Sequence, residues 1–364
     1  MSTKAPEGSP RTRAAVSPAT SAAPVIGVKS QRSFSDLVRR PETGALFGTV
    51  LVFVFFAIFG GETFLSSGGF ASWLNVGAEL ALVALPVALL MISGEFDLSV
   101  GSVVAASSVT LAIVSGTFGL PQIVGILAAL AVGALVGFVN GILVARTNVP
   151  SFIVTLAMQF ALAGLTLGLA RVISGSTSIP LTPDPFFKAI FGTLINGQFE
   201  VAIFWAIGAA LVVAWILQMS KYGNWIFAIG GDAVSARAAG IPVPRVKVSL
   251  FMATSIGAAL VGIIQTMLYN GAATGAGVSF LFNSIIAVVV GGVLLTGGYG
   301  SVVGVVFGTM TFAIVNQGIY YTGWNSDWAS LILGILLLAA VLMNNTFRRL
   351  ALSGGATKTK KKGA

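Results

Sequence analysis

The sequence predicts an all-α integral membrane protein, a polytopic bundle of about ten transmembrane helices. Of its 364 residues, 56% are hydrophobic and 9% are charged, whereas soluble domains devote about a quarter of their residues to charge. The net charge of +9 lies in the two tails, since residues 1–43 carry +4, residues 348–364 carry +6 and the middle carries −1. The middle also contains uncharged runs of the roughly 20 residues that a spanning helix needs.

Uncharged stretches divide the middle of the chain into ten predicted spans. Glycine clusters and the Gly119–Pro121 break separate helices where no charge does so. The predicted spans are 43–61, 73–93, two within 98–145, then 147–170 and 201–220, followed by spans near 248–268, 280–296, 299–321 and 328–345.

The distribution of Lys and Arg predicts the orientation. If the amino terminus is inside, the outer loops contain only Arg171 and Lys188 among the basic residues, and the other basic loop residues and the carboxyl tail lie inside. This is the asymmetry of the positive-inside rule. We therefore predict a disordered basic cytoplasmic tail at 1–43, a transmembrane domain at 44–346 and a second basic cytoplasmic tail at 347–364.

The composition excludes several classes of function. The chain has no histidine and no cysteine, which removes the usual zinc sites, haem ligation by histidine, thiol catalysis and Ser-His-Asp triads. It has no glycine-rich loop ending in Gly-Lys-Ser/Thr, and so no phosphate cradle of that kind. Because its basic residues flank an apolar body, the predicted environment is the lipid bilayer and not nucleic acid. We expect no bound metal or cofactor.

Small residues recur every four positions along three predicted spans. Such stripes let two helix backbones approach closely in lipid, and they predict a tightly packed bundle. The stripes are Gly125, Ala129, Gly133, Gly137 and Gly141, then Gly164 and Gly168, and Gly300, Gly304 and Gly308.

Polar residues within or near the predicted spans are candidates for the lining of a passage. A charge inside the bilayer is costly, and polar groups there often mark a pathway. A mostly uncharged, amide-rich lining suits a neutral, hydroxyl-rich solute, although each amide taken alone is also explained by hydrogen bonds between helices. The pathway candidates are Glu79, Asn140, Gln159, Asn283, Asn316 and Gln317.

Two segments between spans carry more specific patterns. In 94–102, Asp97 or Ser99 is a good cap for the helix that follows, and a capped turn alone would explain the pattern. In the inner loop 221–247, Asp232 can cap a short helix of small residues that ends at Gly240 and is stopped by Pro242 and Pro244. A short exposed helix at the membrane face suits docking into a partner, with an ordinary solvated loop helix as the alternative.

Together these segments resemble the permease subunits of bacterial monosaccharide ABC importers, the ribose, xylose, arabinose and galactose group. The resemblance covers about residues 44–346 and departs from the family pattern at Glu95-Phe96, where a small residue and isoleucine are usual. One family motif is matched by Asp97, Leu98, Ser99, Val100, Gly101 and Ser102. The family's loop motif is matched by Tyr222-Gly223, Gly230-Gly231, Ala236-Arg237 and Gly240-Ile241.

This resemblance implies a type II-like ABC importer permease of the bacterial cytoplasmic (inner) membrane, translocating a monosaccharide delivered by a periplasmic or extracellular solute-binding protein. It implies a homodimer with a second permease copy, and a cytoplasmic ABC ATPase that binds the ATP and Mg. The ATPase-coupling helix would comprise Asp232, Ala236, Arg237, Gly240, Ile241 and Pro242.

Three alternatives remain at this point. A branched-chain amino-acid permease of the same importer superfamily would differ in its solute. A secondary carrier or channel would work without an ATPase. An intramembrane enzyme is disfavoured because Glu95 and Asp97 are the only acids paired at a plausible catalytic spacing.

Overall fold

The computed structural model describes residues 2, 41–147, 149–328, 330–332, 334–335 and 338, and this part of the chain is predominantly helical. A π-helical turn at Ala112–Thr117 extends α4, and 3₁₀ turns lie at Ile319–Tyr321 and Ser326–Trp328. The α-helices are α1 Pro41–Phe59, α2 Gly61–Leu65, α3 Ser67–Ile92, α4 Val100–Leu111, α5 Gln122–Arg146, α6 Ser151–Ser174, α7 Pro185–Phe191, α8 Ala202–Met219, α9 Lys221–Gly231, α10 Ala233–Ala238, α11 Val243–Leu268, α12 Val278–Val290 and α13 Val302–Gly318.

Two pairs of very short antiparallel strands lie in the loops. Strand β1 (Ser178–Pro180) pairs with β4 (Gly271–Ala273). Strand β2 (Leu194–Ile195) pairs with β3 (Phe199–Glu200). These pairs fasten the loop that joins α6 to α8, on the face predicted to be outside.

Eight helices in the described part are long and apolar enough to cross a bilayer. They coincide with the first seven predicted spans and the ninth, and α4 and α5 are separated at Gly119–Pro121 as expected. The eighth predicted span, 280–296, is instead the 13-residue helix α12, which is about 20 Å long. Most of the tenth predicted span, the tail 347–364 and most of the tail 1–43 lie outside the described residues.

Helix α12 is short because it begins inside the bundle. Its N-cap, Gly277, packs on the backbone of Gly101 in α4, where an added methyl group would collide with the Gly101 carbonyl oxygen. The other end of α12 stops at Gly291, and Gly292, Gly297 and Gly298 in the following loop all have positive φ angles. This backbone conformation favours glycine and cannot continue a helix.

Helix α3 is the most deeply buried span and packs on α8, α11, α12 and α13. Pro86 within it has no N–H to donate to the carbonyl of Leu82. Gly257 of α11 lies directly against that carbonyl and the Pro86 ring, where a side chain would collide with the Leu82 oxygen. The proline thus sits at a close contact between the two helices.

The glycine stripes on α5 and α13 are packing surfaces, as predicted. Along α5, Gly133, Gly137 and Gly141 lie against the backbone of α11. On α13, Gly308 lies against the end of α12. By contrast, an added side-chain carbon at Gly164 on α6 would meet no atom within 4 Å, and the same holds for Gly168, so that stripe is unpacked in the described part of this single chain.

Candidate functional site

The motif 97–102 forms a buried polar cluster, which we call the motif cluster: Asp97, Ser99, Ser102, Asn140, Gln159 and Thr254. Asp97 is 1% exposed. Its Oδ1 accepts hydrogen bonds from the Ser99 backbone N–H at 2.9 Å and the Ser99 hydroxyl at 2.6 Å. Its Oδ2 accepts from the Thr254 hydroxyl at 2.5 Å. The carboxylate therefore joins the start of α4 to α11.

Two pathway candidates belong to this cluster. The Asn140 side-chain amide donates to the Ser99 hydroxyl at 2.9 Å, and the Gln159 side-chain oxygen accepts from the Ser102 backbone N–H at 3.0 Å. Asn140 and Gln159 thus tie α5 and α6 to the first turn of α4. Ser99 occupies the predicted N-cap position, but its hydroxyl makes no capping bond. The hydroxyl donates to Asp97 and accepts from Asn140 instead. The free backbone N–H of Ser102 in the first turn of α4 is capped by Gln159.

The motif cluster lies deep in the bundle. Thr254 is eleven residues from the start of α11, which corresponds to about 17 Å along the helix axis. The loop from α3 to α4 therefore dips into the bundle, where Asp97 and Ser99 are buried. Nearer the amino-terminal end of α11, Lys247 forms an ion pair with Glu95. The acid that departs from the family motif thus has a cationic partner in this chain.

The other pathway candidates lie elsewhere. The Glu79 Oε2 atom accepts from the Gln265 side-chain amide at 2.8 Å, whereas its buried Oε1 has no hydrogen-bond partner in the described structure. On α13, the Gln317 amide donates to Asn316 at 2.9 Å. Asn283 lies on α12, half-buried. The fold therefore distributes the six candidates over several places and does not gather them into one lining.

Glu79 belongs to a second polar group near the loops that are predicted to lie outside. The Glu200 backbone N–H donates to Asn75 at 2.9 Å, and the Glu200 Oε2 atom is buried without a hydrogen-bond partner in the described part of the chain. Burial raises the pKa of Glu200 to about 7. Partial burial, and then the charges of Glu79 and Glu200, raise the pKa of the nearby Tyr269, which is 66% exposed. Sequence reasoning missed Glu200 and Tyr269, which lie just outside apolar runs.

The loop 221–247, predicted to lie inside, contains the short capped helix that was predicted. The Asp232 Oδ1 atom accepts from the backbone N–H groups of Val234 at 2.8 Å and Ser235 at 3.3 Å. Its Oδ2 accepts from the Ser235 hydroxyl at 2.8 Å. These hydrogen bonds, that of the Ser235 hydroxyl above all, lower the pKa of Asp232. The cap starts α10 at Ala233.

The end of α10 differs slightly from the prediction. The helix ends at Ala238, and Gly240 has a φ of +86°. The Ile241 N–H donates back to the Ala236 carbonyl at 3.1 Å. Pro242 is the N-cap of α11 and Pro244 lies in its first turn, because proline is tolerated where a helix begins. The two prolines therefore start the next helix as well as prevent the continuation of α10.

One face of α10 is anchored and the other is free. Ala236 is buried, whereas Val234 is 79% exposed and Arg237 is also exposed. The preceding helix α9 is held to the carboxyl-terminal end of α3 at Gly230, where an added methyl group would collide with the Ile92 carbonyl. The segment 221–242 is therefore a firmly seated element that presents α10 outward, suited to contact with another protein.

A family model described as "Branched-chain amino acid transport system / permease component" matches residues 69–341. The chain belongs to this permease family. It is therefore a transport subunit of an ABC importer and not an enzyme. Together with the eight apolar helices, this membership makes it a multi-pass inner-membrane protein. It also implies an ATPase and a solute-binding protein as partners.

Several curated relatives match over most of the chain. The probable ABC transporter permease protein y4mJ of Sinorhizobium fredii is 34% identical over 77% of this chain and 82% of its own. The fructose import permease protein FrcC of Rhizobium meliloti is 30% identical over 85% of this chain and 87% of its own. The ribose import permease protein RbsC of Escherichia coli (strain K12) is 31% identical over 73% of this chain and 82% of its own.

Proposed function

We propose that this chain translocates a monosaccharide across the bacterial inner membrane as the permease of an ATP-driven importer. The observation that carries the proposal is similarity, over most of the chain, to permeases named for fructose and ribose import. The family description names branched-chain amino acids, but a family model spans many solutes, and named relatives are the closer guide. The largely uncharged interior also favours a neutral solute.

We further propose that α10 is the coupling helix, with Asp232, Ala236, Arg237, Gly240, Ile241 and Pro242 shaping it. ATP and Mg would be bound by the partner ATPase, whose closure would push on the exposed face of α10. Since α9 is fastened to the end of α3 and to the loop after α12, the push would reach the core of the bundle. Such rigid-body transmission is typical of switching proteins.

The assembly would contain two copies of this chain with both termini in the cytoplasm. The positive-inside distribution of basic residues supports that orientation. In the assembled permease, Glu79, Gln265 and Glu200 near the outer loops would offer acceptors and an amide to sugar hydroxyls. Asn283, Asn316 and Gln317 lie apart from them and would contribute polar groups at other points of the passage. Asn140, Gln159 and the motif residues 97–102 would instead hold the helices around it.

The coupling assignment is tested in proteoliposomes that contain the permease, its ATPase and the solute-binding protein. Arg237→Glu and Gly240→Leu should leave the permease inserted and lower sugar-stimulated ATP turnover about tenfold or more, because both alter the docked surface. Arg171→Glu, an exposed Arg at the outer end of α6, is the matched control and should retain turnover. Unchanged turnover in Arg237→Glu and Gly240→Leu would refute the assignment.

The same preparation separates the alternative functions. A sugar importer requires the ATPase, and its ATP turnover rises with ribose or fructose on the binding protein. Stimulation by leucine instead would indicate the amino-acid permease. Solute uptake by liposomes that contain this chain alone would indicate a secondary carrier or channel.

A further inference from the structure

We propose that a basic cavity at the inner ends of α5, α10 and α11 binds the phosphate group of an anionic phospholipid. The cavity has a volume of about 390 Å³, and its lining includes Arg146, Thr147, Arg237, Pro244 and Lys247. Three helices thus each contribute one cation to one small space. The proposal concerns the membrane and does not depend on the identity of the transported solute.

The charge in the cavity is only partly compensated. Lys247 forms an ion pair with Glu95. In the described part of the chain, neither Arg146 nor Arg237 has an ion pair or a side-chain hydrogen bond. Guanidinium groups present several N–H donors in a planar fork that matches the oxygens of a phosphate. The two arginines therefore leave an excess of positive charge and unused donors facing a space that fits an anionic group.

The position of the cavity favours a lipid over a free anion. Arg146 is the last residue of the spanning helix α5, and Lys247 lies in the second turn of the spanning helix α11. In the orientation proposed above, the cavity therefore lies where two spans enter the inner leaflet. Close to Arg146 in sequence, Leu143 is 40%, Val149 42% and Phe152 52% exposed. A phospholipid matches this combination, with its phosphate in the cavity and its acyl chains along the apolar surface, and basic pockets between helices on the cytoplasmic side suit anionic headgroups.

The cavity also links the membrane to α10. Arg237 is on that helix, whereas Arg146 and Lys247 belong to spans. A phosphate bridging them would tether the exposed helix to the bilayer surface. Lipid composition would then influence how α10 meets a partner, and removal of Arg237 would weaken lipid binding as well as any protein contact.

The test is to measure lipid binding to the purified full-length chain by native mass spectrometry, with phosphatidylglycerol and phosphatidylcholine as probes. Wild type should retain phosphatidylglycerol preferentially. Each charge removed should weaken that binding about fivefold, and Arg146→Gln with Arg237→Gln about 25-fold. Arg245→Gln is the matched control, because Arg245 is an exposed cation in the first turn of α11 and lies outside the lining.

The possible outcomes are distinct. Equal phosphatidylglycerol affinity in wild type and the double variant would overturn the proposal, as would equal retention of phosphatidylcholine by wild type. Inorganic phosphate that binds as tightly as the lipid would identify a free-anion site instead. Absence of lipid binding in wild type, together with ATPase binding that Arg146→Gln and Arg237→Gln weaken, would identify a protein contact instead. Should the double variant fail to fold, Arg237→Gln alone, at an exposed position, must still show the fivefold loss.

Discussion

Two aspartates in this protein have nearly the same local hydrogen bonds and opposite surroundings. Asp97 accepts from the backbone N–H and hydroxyl of Ser99. Asp232 accepts from the backbone N–H and hydroxyl of Ser235, and from the Val234 N–H. In each case a carboxylate shapes the chain just before or at the start of a helix.

What differs is where the remaining bonds lead. Asp97 is buried and also accepts from Thr254 of α11, and Ser99 accepts from Asn140 of α5. The side-chain bonds of Asp232 stay within its own turn, in water. One aspartate therefore joins several helices into a bundle, and the other only shapes a protruding helix. A capping pattern in the sequence therefore does not show how much the cap contributes to the free energy of unfolding, because that contribution depends on burial.

The largest effect is expected from Asp97→Ala. This change would leave the buried N–H and hydroxyl of Ser99 without an acceptor and remove the bond to Thr254, whose hydroxyl can still donate to the Phe251 carbonyl. The expected cost is about 3–5 kcal/mol in the free energy of unfolding. The variant should yield little monodisperse protein in detergent, as measured by size-exclusion chromatography with fluorescence detection. Asp97→Asn, which keeps one acceptor oxygen and the side-chain shape, should recover most of the yield. Equal yields of Asp97→Ala and wild type would mean that the cluster does not hold the bundle together.

A second prediction concerns how the exposed region is fastened to the buried one. Gly230→Ala would drive a methyl group into the Ile92 carbonyl and should lower the free energy of unfolding by about 1–3 kcal/mol. Gly231→Ala, at the next residue, would meet no atom within 4 Å and should leave stability unchanged. The measurement is thermal unfolding followed by tryptophan fluorescence. If both variants unfold at the same temperature, α9 is not seated against α3 as described.

Much of the architecture could be predicted from sequence because its causes are local. An apolar run of about 20 residues defines a span wherever it occurs, so seven consecutive spans and the ninth were predicted correctly. The cap at Asp232 could be predicted because the bonds lie within three residues. The motif residues 97–102 identified the permease family, which the family match confirms.

The failures share a different cause. The apolar run 280–296 has the composition of a span, but α12 is short because Gly277 meets Gly101, a contact between residues distant in sequence. The partners of Asp97 and Glu95 on α11, Thr254 and Lys247, likewise follow no spacing rule. Contacts between helices depend on how the bundle packs, and a single sequence does not state that arrangement.

A smaller effect is expected from Asp232→Ala, the exposed counterpart of Asp97→Ala. Water can satisfy the N–H groups that lose their cap, so the unfolding temperature should fall by at most about 2 °C. Loss of the cap should nevertheless fray α10 and reduce sugar-stimulated ATP turnover in the reconstituted complex. Asp232→Ser, which can still cap, should restore turnover. A large loss of stability in Asp232→Ala would remove the contrast between the two aspartates.

The smallest effect concerns a third carboxylate, Glu200, which is half-buried and lacks the set of donors that Asp97 has. Glu200 has a buried oxygen without a hydrogen-bond partner in the described part of the chain, and burial raises its pKa from 4.5 to about 7. Its ionisation is therefore unfavourable in the folded state. The resulting loss of stability is absent below about pH 4.5, grows as the pH rises and is complete above about pH 7.

Glu200→Gln removes this penalty, so the variant should gain stability over wild type as the pH rises from 5 to 8. Because Glu200 is partly exposed, solvent screening limits the gain to about 1 kcal/mol. The measurement is the difference in unfolding temperature between variant and wild type at several pH values, with Glu62→Gln, at an exposed glutamate, as the control. A difference that stays constant with pH, or that declines toward pH 8, would show that Glu200 ionises freely. Burial without donors would then cost little here, and the contrast with Asp97 would rest on contacts between helices alone.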